Sequence, residues 1–206
     1  MNAERSLRIL RLDSSARSEA SLSRRLTGLL IEKLSLLQPA LVTERPLAEV
    51  PLLNEAAVTG MFLPAEKRTI AHYEALTPSD ILIAELRQSD VLVIGAPVYN
   101  FFLPAALKAY IDQVVRFGVT FRLGASGAQG LLPALKAYVI ITSEGTEYNS
   151  AVEFGSRYLR FVLNYIGISD VHFIDATNTA ERGREAVETA AAHRMDALLQ
   201  ATEQAA

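Results

Sequence analysis

The chain has 206 residues, half of them hydrophobic and a fifth charged. That is enough apolar material for a packed core and too much for a mainly disordered chain. Its 20 basic and 23 acidic residues leave a formal charge of −3, and it contains no cysteine. Nucleic acid and anionic membranes are therefore poor partners, and disulfide scaffolds, zinc-thiolate sites, iron–sulfur clusters and catalytic thiols are excluded.

Residues Met1 to Arg5 open no secretory core, and Arg8 and Arg11 interrupt the first apolar run. A cytoplasmic location is the expectation. Leu7 to Leu12 reads as a strand, although two arginines are odd in a strand covered on both faces. Leu22, Leu26, Leu29, Leu30 and Leu37 share a helical period and mark a helix. Leu41 to Arg45 reads as a short strand. Leu47 to Ser89 is too long for a simple crossover and is expected to hold an extra helical excursion. Asp90 to Pro97 is the best strand, with an uninterrupted apolar run suited to a buried parallel position. The apolar stretch Val91 to Leu107 is too short and too broken by Asn100, Pro97 and Pro104 to span a membrane, which takes about 20 residues.

Pro104 opens the next helix, whose stripe is Leu107, Tyr110, Ile111, Val114 and Val115. Lys136 to Thr142 is another buried strand. Val152 to Ile166 reads as a helix ended by Gly167. Asp170 to Ile174 is the last strand and Arg184 to Leu199 the last helix, followed by a small, polar tail expected to fray. This alternation predicts a single α/β domain over residues 1–206. The expected architecture is a flavodoxin-like three-layer sandwich around a five-stranded parallel sheet.

In such a sheet ligands bind beyond the carboxyl ends of the strands, where strand order reverses. Three loops should meet there. The first, Asp13 to Ser23, holds five serines and leads into a helix, whose free N–H groups attract an anion. It lacks the glycines of a dinucleotide fingerprint and the Lys-Ser/Thr of a P-loop, so it suits a lone monophosphate such as that of FMN. The plainer reading makes Ser21 or Ser23 an N-cap. The second, Pro97 to Leu103, brings Tyr99, Asn100, Phe101 and Phe102 to the mouth of the sheet. They could stack on and hydrogen-bond a flat heterocycle, or the phenylalanines could simply plug the gap between strand and helix. The third, Ser143 to Ser150, contains Gly145, which would admit a ligand close to the backbone or serve a routine turn. Gly124-Ala-Ser-Gly127 is not a nucleophile elbow. His72, His172 and His193 are scattered, without metal-ligand spacing. No general acid–base pair stands out.

At these loops the chain resembles the FMN-dependent NADH azoreductase / NADH:quinone oxidoreductase family. The likeness runs from Leu7 to about Ala176. It is carried by Ser14-Ser15 with Ser21-Leu22-Ser23, by Ala96-Pro-Val-Tyr-Asn-Phe101 and Leu107-Lys-Ala-Tyr-Ile-Asp112, and by Gly118-Val-Thr-Phe-Arg122, Ser143-Glu-Gly145 and Tyr165-Ile-Gly-Ile168. The resemblance implies a homodimer with FMN at the interface. It implies that Ser15, Ser21, Leu22 and Ser23 hold the phosphate and that Val98, Tyr99, Asn100 and Phe101 line the flavin. Ser143, Glu144, Gly145 and Thr146 would close its other edge. Thr146 stands where family members often carry glycine, and Leu123 where some carry an aromatic residue. The implied activity passes two electrons from NADH or NADPH to quinones and azo compounds, in ping-pong order, with the chemistry on FMN and no catalytic side chain. The rival expectation is a flavodoxin-type electron carrier that does not oxidise NAD(P)H itself.

Overall fold

The computed structural model describes residues 5–203 apart from residues 126, 133 and 134. Five strands form one parallel sheet in the order β2-β1-β3-β6-β7. They are β1 (Leu7–Asp13), β2 (Ala40–Pro46), β3 (Val91–Pro97), β6 (Lys136–Thr142) and β7 (Val171–Ala176). Helices α1 (Leu22–Leu37) and α7 (Arg184–Glu203) cover one face; α3 (Ile70–Gln88), α4 (Ala105–Val114) and α5 (Gly155–Tyr165) cover the other. Successive strand side chains feed opposite cores, as the pleat requires. Val91 and Val93 of β3 pack with α1 and α7, while Leu92, Ile94 and Ala96 pack with α3, α4 and α5. All seven residues of β3 are buried, which accounts for its unbroken apolar run.

The excursion between β2 and β3 contains α2 (Glu55–Phe62) and the long α3, both N-capped, by Asn54 and Thr69 respectively. The helix expected from Val152 begins at Gly155 instead. The fully buried Glu153 accepts the Ser156 N–H at 2.8 Å and so marks the start of α5. The last helix runs past Leu199 to Glu203; residues 204–206 of the expected fraying tail lie outside the described residues. Two elements escape the sequence reading. One is a small antiparallel hairpin, β4 (Phe121–Gly124) with β5 (Gly127–Gly130). The other is a one-turn helix, α6 (Thr179–Arg182).

The two arginines of β1 have specific partners. Arg11 Nε lies 2.7 Å from Asp13, and its Nη1 donates to Glu44 on the exposed edge strand β2. Arg8 grips Asp90, just before β3, through its backbone N–H, Nε and Nη2, at 3.0, 3.0 and 2.7 Å. Arg5 adds another donor. This clasp joins β1 to β3 at the amino end of the sheet. The hydrogen bonds from Arg8 pull the Asp90 pKa down to about 2 from an ordinary 3.8. The depressed carboxylate therefore stabilises the fold fully above about pH 4, and that contribution is lost as pH falls through about 2. Asp90→Asn should cost about 1 kcal/mol at pH 7 and almost nothing near pH 2. Urea melts at the two pH values would check this, and equal costs at both would refute it.

Candidate functional site

The carboxyl ends of β1, β3 and β6 open into a cleft of about 510 Å³, a volume typical of small-molecule sites. Its walls include Ser15, Arg17, Ser21 and Leu22 from the first loop, Pro97, Val98 and Tyr99 from the second, Thr142 at the end of β6, and Ser143 and Glu144 from the third loop. The first two loops also touch directly, and the second is tied to the end of β6. The Tyr99 hydroxyl lies 3.4 Å from Ser15 Oγ and accepts the Ala16 N–H at 3.3 Å. Val98 N–H donates to Thr142 O at 2.7 Å.

Ser21 is the N-cap of α1, accepting the Arg24 N–H at 3.3 Å, so the plainer reading of this residue holds while it also lines the cleft. Ser23 sits behind it, 1% exposed, with its hydroxyl 3.1 Å from that of Ser21. Ser14 also turns inward, donating to Gly95 O at 2.7 Å. The N–H groups of Leu22 and Ser23, in the first turn of α1, precede any intrahelical acceptor. They give the mouth of this helix its affinity for negative charge. Gly95 lets α1 and β1 come close: a Cβ there would lie 2.8 Å from Asp13 Oδ1 and 3.1 Å from Thr27 Cγ2.

The second loop is a tight turn. Tyr99 N–H donates to Phe102 O at 2.9 Å, and Phe102 N–H donates to Tyr99 O at 3.0 Å. Between them Asn100 and Phe101 both have positive φ, 48° and 68°. Asparagine tolerates this region, whereas for phenylalanine it is strained. The strain is held in place by the closing bonds and by Phe154 N–H, which donates to Phe101 O at 3.0 Å. Both rings, Phe101 and Phe154, remain more than half exposed.

The third loop is fixed by a latch the sequence reading missed. Ser143 Oγ donates to Thr146 O and accepts Asn178 N–H at 2.9 Å. The first N–H groups of α6 close on the same segment: Thr179 donates to Ser143 O at 3.2 Å and Ala180 to Glu144 O at 2.9 Å. Thr179, Ala180 and Arg184 thereby join the cleft wall. Asn100, Phe101, Gly145 and Thr146 belong to the converging loops but stand outside the wall. Arg17, within the first loop, and Arg184, at the start of α7, are basic side chains on that wall, and Glu144 is an acidic one. The rule that ligands gather beyond strand ends applies to β7 too, and would have flagged Asn178 to Arg184. A broader hollow of about 750 Å³ runs along Arg157, Arg160 and Phe161 on the outer side of α5 and includes none of β1, β3 or β6.

A parallel sheet of this order, with a polar cleft at its switch point, defines a flavodoxin-like protein. The family model described as Flavodoxin-like fold matches residues 7–201. A curated FMN-dependent NADH:quinone oxidoreductase of Hahella chejuensis is 48% identical over 171 residues, covering 82% of this chain and 84% of that protein. Another, of Colwellia psychrerythraea, is 46% identical, covering 91% and 97%. The chain therefore belongs to the FMN-dependent NADH:quinone oxidoreductase family. Among solved structures, a Bacillus anthracis azoreductase superposes with a TM-score of 0.84 at 21% identity, covering 93% of this chain and 98% of that one. An FMN-dependent NADH-azoreductase of the same species, in complex with FMN, gives 0.81, also at 21% identity, covering 95% and 98%. At that identity the likeness shows the fold.

Phe101→Gly removes a mostly exposed ring and the steric cost of a positive φ. The apoprotein should gain up to about 1 kcal/mol in thermal stability. A lower melting temperature for this variant would contradict the strain assignment.

Proposed function

We propose that this chain is an FMN-dependent enzyme that moves two electrons from NADH or NADPH to quinones, with azo compounds as a second acceptor class. The observation that carries the reading is the meeting of the N–H-rich mouth of α1 with Tyr99 across one cleft, in a chain whose curated relatives are named for FMN. The residues fit the group. The hydroxyls of Ser15 and Ser21 and the N–H groups of Leu22 and Ser23 would hold the phosphate at the helix mouth. Val98, Tyr99, Asn100 and Phe101 would flank the ring, with the strained turn fixing where their backbone points. Ser143, Glu144, Gly145 and Thr146 would border its other edge, immobilised by the α6 latch.

Bound there, FMN supplies the two-electron redox chemistry. The chain's work is then binding, orientation and water exclusion. Backbone N–H groups and Asn100 would favour negative charge along the polar edge of the ring. We infer a ping-pong order in which donor and acceptor use the cleft in turn. The carrier alternative is less apt: a formal charge of −3 is small for docking to basic partners, and the inserted α2–α3 excursion exceeds what a carrier's crossover needs. Apoprotein should take up FMN and turn yellow, and NADH alone should then bleach it. A protein that stays yellow until a separate reductase is added would favour the carrier instead.

We also infer a homodimer. Phe101 and Phe154 beside the second loop, and Val58 and Phe62 one turn apart on α2, are exposed apolar side chains that a second copy could cover. Sedimentation should give a mass near twice the 22.5 kDa of the chain. A single-chain mass at micromolar concentration would refute this. We propose a cytoplasmic location; separately, among the described residues no helix is long and apolar enough to cross a membrane.

A further inference from the structure

One side chain reaches back over the whole first loop. Arg24 stands in the first turn of α1, where a positive charge opposes the helix dipole. Its guanidinium folds over Asp13 to Arg17. Nε donates to Arg17 O at 3.0 Å, Nη2 donates to Ser15 O at 3.1 Å, and Nη1 lies 3.7 Å from the largely buried Asp13 carboxylate. Asp13 is itself held by Thr27 Oγ1 at 2.9 Å and Arg11 Nε at 2.7 Å, so the anchor is fixed to β1 and α1.

A trans peptide points its carbonyl and its N–H in opposite directions. Holding Ser15 O against Arg24 therefore turns Ala16 N–H the other way. That N–H is found on the cleft side, donating to the Tyr99 hydroxyl at 3.3 Å. Holding Arg17 O turns Ser18 N–H away from Arg24 by the same geometry. The loop carries no glycine, and none of its residues has a positive φ. The Arg24 guanidinium is the group that grips its carbonyl edge at both Ser15 and Arg17.

We propose that Arg24 is a positioning residue for phosphate recognition: its forked guanidinium clamps the carbonyls of Ser15 and Arg17 and so keeps the Ala16 N–H turned toward the cleft. The proposal rests on the reading of the cleft as an FMN site. Arg24 acts through the backbone and is given no contact with the ligand. Its role is therefore geometric, and a lysine should not replace it: one ammonium cannot serve two carbonyls in the fork arrangement.

The test uses flavin fluorescence quenching with FMN and with riboflavin, which lacks the phosphate, on wild type, Arg24→Met and Arg24→Lys. Amide hydrogen exchange of each apoprotein is measured alongside. Both variants should bind FMN about ten-fold more weakly. Riboflavin affinity should move less than about two-fold, because its ring contacts lie on other loops. Exchange at Ala16 should quicken in both variants without flavin present. A lysine variant matching wild type in FMN affinity and in exchange overturns the proposal, since charge alone would then suffice. An equal loss of riboflavin and FMN affinity also overturns it, because the effect would be general damage. A wild-type chain that binds neither flavin overturns the FMN reading itself and with it the phosphate role given to Arg24.

Discussion

The divergence of the chain after β1 and β3 is the constraint on which the rest depends. The two strands are hydrogen-bonded neighbours in one parallel sheet, yet α1 leaves toward one face and α4 toward the other. No connecting helix covers the carboxyl ends between them, and the cleft is the space that results. Everything polar in that space must be satisfied by loops. This is why the first and second loops, 83 residues apart at Ala16 and Tyr99, are hydrogen-bonded to each other across it.

The polar groups around the cleft form an order of support. Asp13, at the end of β1, is the buried hub; Arg11, Thr27 and Arg24 converge on it from the strand and the helix. Gly95 leaves room for this cluster on the neighbouring strand. On the far wall Ser143 takes the corresponding place, with its hydroxyl spent on the protein's own backbone. Thus several serines that look like ligands-in-waiting do two jobs or only one. Ser21 caps a helix at the cleft rim, while Ser14 hydrogen-bonds inside the fold.

Much of the architecture was legible because buried parallel strands need unbroken apolar runs, as Val91 to Pro97 and Lys136 to Thr142 show. Helices covering them need one apolar stripe, as Leu107, Tyr110, Ile111 and Val114 show. The hairpin β4–β5 was illegible because it has no such signature. Its strands are mostly exposed and rich in glycine, and its seat on the domain is backbone against backbone, with a Cβ at Gly130 only 2.1 Å from Gly167 N. Helix α6 was missed for a related reason: four residues cannot carry a periodic stripe, and tertiary acceptors at Ser143 and Glu144 hold its N–H groups. Residue types pointed to three loops that do border the cleft, but not to which side chains reach its wall. Arg17 reads as an ordinary loop charge, and the positive φ of Phe101 contradicts what its side chain prefers.

The clasp of Arg5 and Arg8 on Asp90 sits at the amino end of the sheet, while every loop that borders the cleft sits at the opposite end. Two neighbouring strands are thus stapled together at the end remote from the cleft. A lineage built this way can drift at its loops without loosening that staple. Evolvability of the reaction and durability of the scaffold are held by different residues.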